Sequence, residues 1–67
     1  MLTLETLLEN LDDAYTSFNL YKLDEDMNRT PILVNGSQDD ISKYAIDHLD
    51  EEVKMVYNEK TEVNIFV

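Results

Sequence analysis

The first segment of the chain carries apolar residues at the spacing of one face of an α-helix. Thr3 is a suitable N-cap, and Glu5 follows in the first turn, where a carboxylate interacts favourably with the exposed backbone amides. The pattern therefore predicts a first helix over residues 3–14. Its apolar stripe consists of Leu4, Leu7, Leu8, Leu11 and Tyr15.

Two short strands are predicted after this helix. Residues 17–23 alternate aromatic or apolar with polar positions, which indicates a strand, with a helical continuation as the alternative. Residues 24–30 form a polar connection, and Pro31 then begins a short apolar run. A proline lacks an amide hydrogen and is tolerated at the first position of a strand. The dipeptide Asn35-Gly36 suits a positive φ and should end this second strand.

A second helix and a terminal hairpin complete the pattern. Ser37 is a strong N-cap, and the residues behind it repeat apolar side chains at i, i+3, i+4, i+7 and i+8: Ile41, Tyr44, Ala45, His48 and Leu49. Residues 53–57 and 62–67 then alternate as the two strands of a hairpin.

This order of elements, αββαββ, predicts a single α+β domain over residues 1–67. The expected architecture has two layers, with an antiparallel sheet of three or four strands and both helices on one face. The predicted core consists of Leu7, Leu8, Leu11, Ile41, Ala45, Leu49, Val63 and Ile65.

The last strand predicts a surface for self-association. Phe66 alternates with Val63 and Ile65, so it should lie on the sheet face that the helices leave uncovered. Val56 and Leu33 are expected to join it in an apolar patch. If the terminal strand also lies at the edge of the sheet, its unpaired backbone groups add a template for pairing. These features predict a homodimer or an edge-to-edge contact with a partner.

The composition narrows the possible functions. The chain has fifteen Asp or Glu, five Lys or Arg and no Cys, and its net charge is -10. Such a charge disfavours direct binding to nucleic acid or to anionic membranes. The absence of Cys excludes disulfides and thiolate metal sites. The N-terminus lacks the basic region of a signal peptide, and no apolar run is long enough to span a membrane, so a cytoplasmic location is expected.

Motifs for catalysis are weak in this chain. Residues 24–28 have the opening spacing of a calcium loop, but Arg29 and Asn35 occupy the positions that should be Gly and Glu, so an acidic turn is favoured. His48 is the single imidazole, and it is interpreted as a half-buried helix residue. No glycine-rich phosphate loop, nucleophile elbow or zinc pattern is present. The expectation is a non-catalytic protein without a cofactor or metal.

The distribution of the acidic residues suggests a function. Residues 1–34 carry seven acids and two bases, and residues 35–67 carry eight acids and three bases, so both halves have a net charge of -5. One interpretation is that this charge only confers solubility. The other is that carboxylates take the place of phosphates and bind a basic, nucleic-acid-binding surface of another protein. The expected contact residues are Asp12, Asp13, Asp24, Glu25, Asp26, Asp50, Glu51 and Glu52, with Tyr21 and Tyr57 as aromatic anchors.

In size, charge and order of elements, the whole chain resembles the small acidic accessory proteins of phages and mobile elements. These include DNA-mimic inhibitors of restriction systems, CRISPR nucleases and uracil-DNA glycosylase. The Glu-Ser-Ile segment of the uracil-glycosylase inhibitor is absent, so the resemblance transfers no residue role. It implies a non-catalytic inhibitor that binds a host protein. The alternative from the residues alone is a small assembly protein that self-associates through its sheet.

Overall fold

The computed structural model describes residues 1–11 and 14–67 of the chain, and these residues form an α+β fold with the predicted order αββαββ. Two short helices and four strands form one helical layer and one sheet. The elements are α1 (Leu4–Glu9), β1 (Ser17–Leu23), β2 (Arg29–Gly36), α2 (Gln38–Ile46), β3 (Met55–Glu59) and β4 (Glu62–Phe66).

The sheet is mixed, with the strand order β2-β1-β4-β3. The hairpins β1–β2 and β3–β4 are antiparallel, but the central strands β1 and β4 are parallel, with Ser17 opposite Glu62 and Tyr21 opposite Phe66. The expectation of a wholly antiparallel sheet is therefore wrong for this pair. β4 is buried over most of its length whereas β3 is mostly exposed, so the more apolar strand of the second hairpin takes the inner position.

Helix α1 is shorter than predicted. Thr3 caps it as expected, and its hydroxyl oxygen accepts a hydrogen bond from the Thr6 amide at 3.3 Å. The helix ends at Glu9, where the Asn10 side-chain amide donates to the Thr6 carbonyl oxygen at 2.7 Å and so satisfies a group of the last turn. Residues 12 and 13 of the predicted helix lie outside the described part of the chain.

Helix α2 begins as its sequence indicates. The Ser37 hydroxyl accepts from the Asp40 amide at 3.2 Å, and the Asp40 carboxylate accepts from the Ser37 amide at 2.9 Å. This is a complete capping box. The hydrogen bonds from Ser37 lower the pKa of Asp40 below its usual value, because they stabilise the charged carboxylate. Two residues before the cap, Asn35 adopts a left-handed conformation with φ 51°, whereas Gly36, the other residue of the predicted dipeptide, does not have a positive φ.

The core lies between the helices and one face of the sheet. Of the predicted core residues, Ile41, Ala45, Val63 and Ile65 are buried, whereas Leu7, Leu8 and Leu11 pack against this core and are half-buried. Leu49 was expected inside but is 40% exposed, because α2 ends at Ile46 and Leu49 lies in the turn that follows. The core also includes residues that the predicted set omitted, among them Leu4, Phe18 and Leu20.

The predicted self-association patch is not formed. Phe66 is only 2% exposed, because it lies on a central strand between two tyrosine rings. Val56 and Leu33 are half-buried and pack against the core cluster, on the opposite face of the sheet from Phe66. Nor does β4 lie at a sheet edge, since it pairs with both β1 and β3.

Candidate functional site

The outer face of the sheet is the face opposite the helices, and a row of stacked side chains crosses it. The ring of Phe66 stacks on Tyr21 at 5.1 Å between centroids and on Tyr57 at 6.0 Å. On the far side of β1, the Arg29 guanidinium lies 5.0 Å from the centroid of the Tyr21 ring. The aromatic row therefore comprises Tyr57, Phe66 and Tyr21, with Arg29 at its end, and takes one residue from each strand.

Two buried asparagine side chains lie on the outer face next to this row. Asn19 and Asn64 are 3% and 5% exposed, and the Asn19 side-chain amide donates to Asn64 Oδ1 at 3.1 Å. The same amide also donates to the Glu62 carboxylate. Asn19 Oδ1 accepts from the Asn35 backbone amide at 2.8 Å. These bonds connect β2, β1 and β4 and fix the carboxylate of Glu62 on the outer face.

The accessible part of the aromatic row is its β3 end. Tyr57 is 46% exposed and Met55, on the same strand and face, is 45% exposed. Tyr21 is half-buried and Phe66 is buried. The two tyrosines that the sequence suggested as anchors are thus brought onto one face, but Tyr57 offers the larger free surface.

The acidic turn between β1 and β2 is exposed along its length. Asp24 Oδ1 accepts from the backbone amides of Asp26 and Asn28, both at 2.9 Å, and so the carboxylate closes the turn itself. Glu25 and Asp26 point their charges to solvent. In residues 1–11 and 14–67, no group of three or more His, Cys, Asp or Glu side chains could hold a metal ion.

The acidic residues at positions 50–52 differ in burial and in their contacts. Asp50 and Glu52 are exposed, but Glu51 is half-buried and accepts from the Tyr44 hydroxyl at 3.0 Å. Glu51 also lies 3.5 Å from Lys22 Nζ. Burial, aided by Glu51, raises the pKa of Tyr44 to about 12. Glu51 is therefore a structural residue, and Asp50 and Glu52 are the free carboxylates of this cluster. The predicted contacts Asp12 and Asp13 lie outside the described residues.

His48 belongs to the turn after α2 rather than to its helical stripe. Its ring is stacked on Tyr44, with 3.9 Å between centroids and 2° between planes. Its Nδ1 lies 2.7 Å from the Tyr44 carbonyl oxygen, and since a carbonyl only accepts, Nδ1 carries the hydrogen. An open hollow of about 520 Å³ runs along residues 46–51 beside it. His48 itself is exposed, contrary to the half-buried position expected from the sequence.

The sequence pattern did not assign Arg29, Asn19 or Met55 to this face. Alternation along β1 does place Asn19 and Tyr21 on one face, which is a local signal. The neighbours of Tyr21 depend on the strand order, and no local pattern indicates that order.

Comparison with known protein families, characterised proteins and solved structures finds no match for this chain. Within the described ranges, neither helix has the length and apolar character needed to cross a membrane.

Proposed function

We propose that this protein is a non-catalytic binding module that occupies a basic surface of another protein. The observation that carries the proposal is the unneutralised acidic surface. Among the described residues, one ion pair forms, between Lys22 and Glu51. The carboxylates of the β1–β2 turn are exposed, and so are those of Asp50 and Glu52. Such a surface attracts cationic partners over a range of about 10 Å at moderate ionic strength.

The most specific form of this proposal is mimicry of nucleic acid. Duplex DNA carries one negative charge per ~1.7 Å of its axis, and basic channels bind it mainly through those charges. Exposed Asp and Glu on a small folded domain are chemically suited to the same Lys and Arg side chains. The resemblance to acidic accessory proteins of phages and mobile elements supports this form, with a nucleic-acid-binding host protein as the partner and the host cytoplasm as the location.

The outer face supplies the second requirement of a binding module. Charge provides steering and specificity, but affinity also needs a desolvated anchor. Tyr57 and Met55 are the exposed apolar side chains beside the aromatic row, and the buried Phe66 supports Tyr57 from one side. Tyrosine and methionine are enriched at protein interfaces, and the acidic turns supply the charge that steers a basic partner.

The proposal can be tested with the immobilised protein in host lysate at low salt. A captured basic protein should lose its nucleic-acid binding in a competitive titration, and its affinity for this protein should fall steeply with salt. Neutralising the turn with D24N, E25Q and D26N should weaken binding and lower the salt dependence, while the amide oxygen introduced by D24N can still accept the two turn hydrogen bonds. Simultaneous binding of both ligands, or an affinity indifferent to salt, would contradict mimicry.

Self-association through the sheet is the second candidate function, and the strand that supports it is β2 rather than β4. β2 lies at the sheet edge with Ile32 41% and Val34 58% exposed. Residues 27–38 also contain no Asp or Glu, so two copies could approach here with little repulsion. Light scattering distinguishes the candidates: a homodimer through β2 should persist or strengthen at high salt, whereas binding by mimicry weakens.

A further inference from the structure

The aromatic row has a cation at its β2 end. No cation among the described residues stacks on its β3 end. Arg29 covers the β2 end, whereas Tyr57 ends the row at β3. We propose that the exposed face of Tyr57 binds an arginine side chain of the basic partner, which would repeat at β3 the contact that Arg29 makes at β2. This inference rests on the proposed function and names the point of contact within it.

The spacing of the rings shows that the end at β3 is open to a partner. Neighbouring strands lie about 4.8 Å apart. The ring centroids of Tyr57 and Phe66 are 6.0 Å apart and those of Phe66 and Tyr21 are 5.1 Å apart, so each ring stacks on the ring of the next strand. β3 is the last strand on this side of the sheet. Phe66 therefore stacks on one face of Tyr57, and Tyr57 remains 46% exposed on this edge strand.

The chemistry of the row favours arginine over lysine. A guanidinium is planar and weakly hydrated, and it stacks on an aromatic face, whereas an ammonium is a strongly hydrated point charge. The contact between Arg29 and Tyr21, at 5.0 Å, lies within the usual limit of about 6 Å for a cation–π interaction. The chain thus already uses this arrangement at its other end.

Charge complementarity points to the same occupant. Glu59 lies two residues after Tyr57, on the same strand and face, and Glu62 is directly opposite Glu59 on β4. Like charges in opposite positions of two strands destabilise a sheet, and a cation bound nearby would relieve that repulsion. Lys60, in the intervening turn, forms no ion pair with either carboxylate in the described part of the chain. Met55, on the other side of Tyr57, offers apolar contact to the methylene groups of an arginine.

The test uses two short peptides of equal charge, one with alternating Arg and Gly and the other with alternating Lys and Gly. Binding is measured by calorimetry at low salt, and the contact is located from amide and tyrosine-ring shifts in NMR spectra. The arginine peptide should bind more tightly, by up to about fivefold, because the whole contribution of an exposed cation–π contact sets the upper limit of the preference over lysine. The largest shifts should fall on β3 and on the ring of Tyr57.

Variants separate the stacking contact from simple attraction. Y57L should abolish the preference for arginine, whereas Y57F, which keeps the ring, should retain it. E59Q should weaken binding of the arginine peptide more than E9Q, which removes the same charge from α1. Circular dichroism and thermal melts confirm that each variant is folded.

The outcomes also distinguish this inference from the proposed function. If both peptides bind with the same affinity and the same steep salt dependence, the acidic module stands but the arginine site is wrong. A preference for arginine that survives in Y57L overturns the site in the same way. If neither peptide binds, the site and general attraction of basic segments both fail.

Discussion

Asn19 and Asn64 lie opposite each other in the parallel pair of β1 and β4, and the side-chain amide of Asn19 donates to Asn64 Oδ1 at 3.1 Å. Both side chains are buried, and Asn19 Oδ1 also accepts from the Asn35 backbone amide. A single amide side chain on β1 therefore satisfies groups on both neighbouring strands, β4 and β2. Buried polar groups need such partners, because water cannot reach them.

Replacing Asn19 with Ala should destabilise the protein by about 1–3 kcal/mol, the cost of one buried group left unsatisfied. The change leaves the buried Asn64 Oδ1 without this donor. It also removes the acceptor of the Asn35 backbone amide, which belongs to an exposed residue. Urea unfolding measures the loss. The matched control is N28A at an exposed turn position, where a change within about 0.5 kcal/mol is expected. Equal stability of the two variants would show that the amide network contributes little.

Replacing Gly36 with Ala should produce a clash with Leu33. A Cβ at position 36 would lie 2.6 Å from Leu33 Cδ2 and 2.7 Å from Leu33 Cγ, too close for any carbon contact. Gly36 does not have a positive φ, so the backbone itself would accept alanine. The expected cost is about 1–3 kcal/mol, typical of overpacking.

A double-mutant cycle identifies the cause of this loss. In a background that already carries L33A, the change of Gly36 to Ala should cost much less, because the clashing atoms are gone. Strictly additive free energies of unfolding for the two substitutions would exclude the clash.

Stability should fall at alkaline pH through Tyr44. Its pKa is raised from 10.0 to about 12 in the folded protein, so folding favours the neutral phenol. This contribution is complete below pH 10 and is lost as the pH rises from 10 to about 12. Absorbance of the tyrosinate ion should show one late titration, and Y44F should remove it. Y44F should also lose less stability than the parent over this interval, and an identical pH dependence would refute the assignment.

Sodium chloride should raise the melting temperature near neutral pH. Fifteen acidic residues against five basic ones repel one another in the folded domain, and salt screens that repulsion. The response should shrink at acidic pH, where the carboxylates are protonated. A melting temperature that is flat in salt at neutral pH would indicate that the carboxylates are too far apart to repel.

The local elements of this fold could be predicted from the sequence because their signals are short-range. Ser37 and Asp40 form their capping box within one turn, and Asn35 adopts a positive φ that its own side chain tolerates. Alternation along β1 and β4 indicated strands in both places. The acidic turn after β1 likewise follows from Asp24, whose carboxylate bonds its neighbours.

The tertiary structure alone decided which strands are adjacent, and the candidate site depends on that choice. Alternation assigned Phe66 to the face opposite Val63, and the predicted hairpin brought the strand of Tyr57 next to it. It did not indicate that Tyr21 would cover Phe66 from the other side, since Tyr21 comes from a distant segment of the chain. The parallel contact between Asn19 and Asn64 spans 45 positions along the chain. Hydrophobic burial has no preferred direction, so a local pattern identifies an apolar face without naming its neighbour. Only the pairing of β1 with β4 places Tyr57, Phe66, Tyr21 and Arg29 in one row.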